Sequence, residues 1–142
     1  MLLLGGNDGG QLERIKIKAK NMGIEEQVRF IGKRTDVPQC LKIMDIHLFP
    51  SVHEGLGIAL LEAQAAGCLC FASTGVPEVA DLQLGNVKRL PLDLGPQAWS
   101  RIIIEKLLHR SKISNDVVRK AFVEKGFDIA ECARRLEDLY EK

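Results

Sequence analysis

The sequence predicts an α/β fold in which helices pack on both faces of a parallel sheet, and three observations predict it. Short, wholly apolar runs suited to buried strands alternate with segments of helical periodicity through the first two thirds of the 142 residues. Glycine and proline mark most of the changes from one to the other. No repeat or linker breaks the alternation, so residues 1–142 are read as one domain, long enough for a hydrophobic core.

Each element has a local reason. Leu2 to Leu4 form the first apolar run, and GGNDGG stops it with a turn. Leu12, Ile15, Ala19 and Met22 then recur at helical spacing, Lys16, Lys18 and Lys20 fall mostly off that stripe, and Gly23 ends the segment. VRFIG is the next strand. Asp36 is placed as an N-cap, with Pro38 in the first turn of a short helix, before the strand IHLF and its stop at Pro50. Ile58 to Ala66 reads as a helix apolar on nearly every side. CLCFA is another buried strand, STGVPEVADLQLGN a loop, and VKRLPL an edge strand, since Pro91 is tolerated only at an edge or terminus. Three helices should follow. Their faces are Trp99, Ile102, Ile103 and Leu107; then Val117, Val118, Ala121 and Phe122; then Ile129, Ala133, Leu136 and Tyr140, behind a capping box of Asp128 and Glu131. Trp99 and Tyr140 are expected to anchor helix packing.

Composition removes several functions. Twenty Lys and Arg against 19 Asp and Glu leave a formal net charge of +1, with no field of one sign to recruit nucleic acid or an anionic membrane. No stretch approaches the roughly 18 apolar residues of a membrane span. Cys40, Cys68, Cys70 and Cys132 form no C-x-x-C pair and have no histidine at metal-ligand spacing, so buried thiols in a reducing cytoplasm and no metal site are expected. Asp8 and its glycines match neither a dinucleotide fingerprint nor a P-loop.

The chemistry concentrates in SVHEGLGIALLEAQAAG. In parallel sheets ligands sit beyond the carboxyl ends of strands, where loops enter helices. Pro50 to Gly57 is such a loop. Gly55 and Gly57 flank Leu56 and let backbone approach a ligand, and the free N–H groups of the helix start suit a phosphate. Glu62 lies among Ile58, Ala59, Leu60, Leu61, Ala63, Ala65 and Ala66, with Gln64 the one polar neighbour. A carboxylate enclosed there needs a partner, either a protein donor or a ligand with two hydroxyls such as a ribose. Glu54 lies eight residues earlier, about two helical turns, so both carboxylates can reach one side of one bound molecule. His53 invites a general-base role, but a loop histidine near a phosphate explains its position equally.

EGLGIALLEAQAAG resembles the E-G-x-G-x-x-x-x-E-A signature of the group 1 (family 4) retaining glycosyltransferases, whose GT-B fold pairs two Rossmann-like domains. LLLGGNDGG, VRFIGKRTDV, IMDIHLFPSVHEG and TGVPEV fall in the order and approximate spacing of that family's carboxy-terminal, donor-binding domain. GNVKRLPLD is especially similar to the capsular and exopolysaccharide branch.

The resemblance implies that Glu62 accepts hydrogen bonds from the donor ribose and that Glu54 is the catalytic carboxylate touching the transferred sugar. It implies that Gly55, Leu56, Gly57 and Ile58 offer backbone N–H groups, and that Gly32, Lys33 and Arg34 border the base. Retention in that family is explained by front-face attack without a carboxylate nucleophile, and a metal is generally not required. The nucleotide sugar, expected to be UDP-linked, is a substrate, so no cofactor is implied. Against the family pattern the chain begins after one strand and helix bearing an Arg and a Lys for the diphosphate, and an amino-terminal acceptor domain is absent. The expectation is therefore a cytoplasmic donor-binding domain of an enzyme that transfers sugar to a growing glycan, inactive alone. The other reading is a nonenzymatic nucleotide-sugar-binding subunit, or inactive fragment, that works with a separate acceptor-binding chain.

Overall fold

A computed structural model describes residues 2–3, 10–109 and 113–141. The chain divides into two compact units, Met1–Val37 and Pro38–Lys142. In the first, strand β1 (Leu2–Leu3) pairs in parallel with β2 (Arg29–Phe30). Helix α1 (Gln11–Asn21) connects them, and Gly23, with φ 65°, turns the chain out of it in the left-handed region that glycine adopts without strain. Of the expected stripe only Ala19 is fully buried; Ile15 and Met22 stay exposed. The glycine-rich turn expected after Leu4, with Asp8, lies outside the described residues.

The second unit holds all of α2 (Val37–Lys42) but its first residue and carries a sheet of β3 (Ile46–Phe49), β4 (Leu69–Ser73) and β5 (Val87–Leu90), all parallel, in the order β3-β4-β5. Ile46 lies opposite Leu69, and Cys70 opposite Val87. Every residue of β4 is buried, which is why CLCFA is apolar throughout instead of alternating. Helix α3 (Ile58–Ala65) makes the crossover from β3 to β4 and packs on both strands.

One side of β4 sends Leu69 and Phe71 into a cluster with Leu90 and Trp99, flanked by Ile46, Ile102 and Ile103. Full burial of a side chain such as Phe71 contributes roughly 1.5 to 3 kcal/mol. Trp99, on α4 (Gly95–Leu108), donates its indole N–H to the Pro91 carbonyl at 2.9 Å, so the expected anchor is satisfied as well as buried. The small Cys70 and Ala72 face the other way.

Helix α5 (Asn115–Glu124) is capped by Ser114 and packs against α3 through an element that buries Val118 and Ala121, whereas Val117 is exposed. Helix α6 (Ile129–Tyr140) is capped by Asp128, which accepts from the Glu131 N–H at 3.0 Å as the sequence predicts. The reciprocal half of the box does not form, because the Glu131 carboxylate binds Arg134 and Arg135, whose guanidinium groups hold its pKa below the ordinary value. The second expected anchor fails: Tyr140 is 85% exposed, and no residue of α6 is buried. The α6 stripe is amphipathic, yet its Ile129, Leu136 and Tyr140 stay exposed.

Candidate functional site

The loop that leaves β3 at the carboxyl end of the sheet is fixed from below by the turn that follows β4. Ser73 donates its hydroxyl to the Ser51 carbonyl, and Ser51 donates its own to the His53 carbonyl at 3.2 Å. A Cβ added to Gly75 would lie 2.1 Å from the Val52 carbonyl oxygen, so backbone meets backbone there and only glycine fits. Gly57 is constrained twice. Its φ is 84°, and a Cβ would sit 2.9 Å from Val76 Cγ1. Gly55 differs, since a Cβ there would meet nothing within 4 Å. The sequence groups the two glycines as devices for ligand approach; the structure gives Gly57 to the fold and leaves open space at Gly55.

Gly57 precedes α3 and its carbonyl accepts from Leu60 and Leu61, at 2.9 and 3.4 Å. Among the described residues, the N–H groups of Gly55, Leu56, Gly57 and Ile58 find no acceptor. Successive unpartnered donors at the start of a helix favour an anion, by about 0.3 to 1 kcal/mol for the helix terminus and more where partly buried.

The polarity of α3 corrects the sequence reading. Glu62 is exposed, on a stripe with Ile58 and Ala65, and no described residue bonds or ion-pairs with its carboxylate. The enclosed polar residue is Gln64, at 0% exposure. Its amide nitrogen donates to the Leu60 and Ala80 carbonyls at 3.1 and 2.7 Å, and its oxygen accepts from the Leu82 N–H at 2.9 Å. The physical reason is that a neutral amide can satisfy itself on backbone at modest cost, whereas a carboxylate cannot be enclosed without a charged partner. Glu54 is half-buried and begins the same loop-to-helix segment.

Gly32, Lys33 and Arg34 belong to the first unit and are described within it. Lys33 is exposed. Arg34 grips Asp36 with two charge-assisted bonds, Nε to Oδ1 at 2.7 Å and Nη2 to Oδ2 at 2.6 Å. That grip lowers the Asp36 pKa and occupies the carboxylate expected to cap α2.

Two further groups escaped sequence reasoning. Arg89 of β5 reaches the turn after β4, donating to the Thr74 and Val76 carbonyls and pairing with Glu78. His47, on β3, is largely enclosed beside Phe49, with no partner for Nε2, and burial lowers its pKa. The run V-K-R-L in a strand was the available signal for Arg89, because a half-buried arginine in a sheet needs acceptors nearby. Burial raises the Cys70 thiol well above its ordinary range, which leaves it protonated and inert. Among the described residues no cluster of His, Cys, Asp and Glu could hold a metal ion. Cavities of about 550 Å³ against α6 and about 80 Å³ around Asn86 and Lys106 are lined by neither Glu54 nor Glu62.

Residues 1–122 match the family described as "Glycosyl transferases group 1". The chain is 34% identical over 144 aligned positions to the UDP-Gal:alpha-D-GlcNAc-diphosphoundecaprenol alpha-1,3-galactosyltransferase of Escherichia coli, covering 94% of this chain and 35% of that protein. It is 31% identical over 125 positions to the capsular polysaccharide biosynthesis glycosyltransferase CapH of Staphylococcus aureus, covering 86% and 33%. The crystal structure of Anabaena Alr3699/HepE in complex with UDP and glucose superposes with a TM-score of 0.74 at 21% identity, over 99% of this chain and 40% of that one, which establishes the common GT-B-type fold. The chain thus spans about a third of the length of these curated relatives.

Proposed function

Because the chain belongs to the group 1 glycosyl transferase family, we propose that it binds the nucleotide-sugar donor, a UDP sugar, of an enzyme that transfers the sugar to a growing glycan with retention of anomeric configuration. The observation that carries this is the row of unpartnered N–H groups from Gly55 to Ile58, placed beside two carboxylates on one loop-helix segment. The donor's diphosphate or sugar takes the N–H groups. Glu62, free of protein partners among the described residues, accepts from the ribose hydroxyls, and Glu54 accepts from hydroxyls of the transferred sugar. The UDP in the HepE complex and the UDP-galactose in the name of the Escherichia coli relative support the choice of nucleotide. CapH supports a polysaccharide product.

In the proposed reaction the bond from the anomeric carbon to the diphosphate oxygen breaks while an acceptor hydroxyl attacks from the same face. The hydroxyl proton passes to the departing diphosphate, so neither glutamate becomes covalently attached. Acceptor binding is assigned to sequence outside these 142 residues, and transfer requires it. The nucleotide donor and the free cysteines suit a cytoplasmic setting. No helix among the described residues is long and apolar enough to cross a membrane.

Titration of UDP into the chain by calorimetry tests the proposal. Hydrogen bonds to a charged group are worth about 1.5 to 3 kcal/mol, so Glu62→Ala is expected to weaken UDP by roughly 10- to 100-fold. An unchanged affinity in the folded variant removes the ribose assignment, and absence of UDP binding by the unaltered chain removes the donor reading.

A further inference from the structure

We infer that Arg89 is a positioning residue for donor binding, acting through the turn Thr74–Glu78 on the loop Ser51–Gly57. The inference rests on the reading of that loop as the donor site. Arg89 bonds to none of the loop's residues, and the route from one to the other consists of named contacts.

At one end is a single planar fork. Arg89 Nη2 donates to the Val76 carbonyl at 2.6 Å and to the Thr74 carbonyl at 3.1 Å, and Nη1 pairs with Glu78 Oε1 at 2.6 Å. The arginine side chain is only 22% exposed, and two of its three acceptors are backbone carbonyls, of which the Val76 carbonyl lies in a part-buried contact. Its Nε is buried without an acceptor, so the guanidinium is held here despite one unsatisfied donor. A lysine ammonium lacks the fork geometry and cannot reproduce the set.

At the other end the turn has no slack. Gly75 is seated against the Val52 carbonyl, Val76 is fully buried against Gly57, and Ser73, immediately before the turn, holds the Ser51 carbonyl. Packing this close transmits displacement instead of absorbing it. A turn released by Arg89 therefore moves residues 51–57, which carry Glu54 and the row of N–H donors. The donors themselves add no hydrogen bond to a described residue that would fix the loop.

Hydrogen exchange and UDP titration on the same protein test this. Arg89→Met is expected to raise exchange of the Leu60 and Leu61 amides, which donate to the Gly57 carbonyl at the end of the loop, about tenfold, with exchange in α5 unchanged, and to weaken UDP about five- to tenfold; Arg89→Lys should recover part of both effects. Glu78→Gln, at an exposed position, should shift both in the same direction by a smaller factor, and it provides the test if Arg89→Met does not fold. Unchanged exchange of the Leu60 and Leu61 amides in folded variants overturns the inference. So does a rise spread evenly over Pro38–Lys142, which marks a merely structural residue. If the unaltered chain does not bind UDP, the donor reading fails, while the exchange arm still decides whether Arg89 governs the loop.

Discussion

Two polar side chains two positions apart in α3 lie on nearly opposite faces, so exposing one buries the other. The chain exposes Glu62 and buries Gln64. The sequence reading enclosed Glu62 and left Gln64 near solvent, and the structure reverses the two. The choice was not legible along the helix, because it depends on two backbone groups, the Ala80 carbonyl and the Leu82 N–H, that reach the helix from 16 and 18 residues away. Gln64→Met keeps the volume and loses those bonds, leaving buried groups unsatisfied. It is expected to destabilise the chain by about 2 to 4 kcal/mol, read from the urea midpoint. A loss below about 0.5 kcal/mol would show that the backbone groups re-pair without it. The same contrast explains Gly55 and Gly57: identical in sequence, they separate only when Val76 arrives from the next turn.

Among the elements, legibility follows burial. CLCFA was readable almost to the residue because a strand covered on both sides leaves no polar position to confuse the pattern, and IHLF, only partly buried, was bounded by Pro50. The stripe of α6 was equally clear, yet Ile129 and Tyr140 are each 85% exposed. Periodicity reports what a helix can bury and is silent on whether a partner is present. A chain ending at Phe127, without α6, is therefore expected to keep its urea midpoint stability within about 1 kcal/mol, since so little apolar area returns to water. A loss of several kcal/mol would show that α6 supports the sheet. The donor loop is the mixed case. Its place after β3 was legible, but the turn beneath it was not, because Arg89 and Gly75 act across the sheet and not along the chain.

For the molecule as a whole, His47 is the partly buried group among the described residues whose shifted titration bears on stability near neutral pH. An unfolded histidine titrates near 6.5, and burial lowers the His47 value in the folded chain. Between the two values the unfolded chain binds more protons, so the contribution is complete above about pH 6.5 and is lost as pH falls toward the folded value. Urea midpoints at about pH 7.5 and 5.5 should fall with acidity in the unaltered chain and fall less in His47→Gln; equal slopes would exclude His47 as the source. The Asp36 and Glu131 values are lowered from carboxylate values near 4, so these groups titrate below that window.

The outer strand of the sheet bears on how copies of the chain meet. Among the described residues β5 pairs only with β4. It carries Lys88 and Arg89 and ends directly before Pro91, which has no N–H to offer an incoming strand. Cationic side chains and a proline stop oppose fibril-like stacking along such a border. The exposed Lys88, and not the ion-paired Arg89, supplies the charge that discourages self-association.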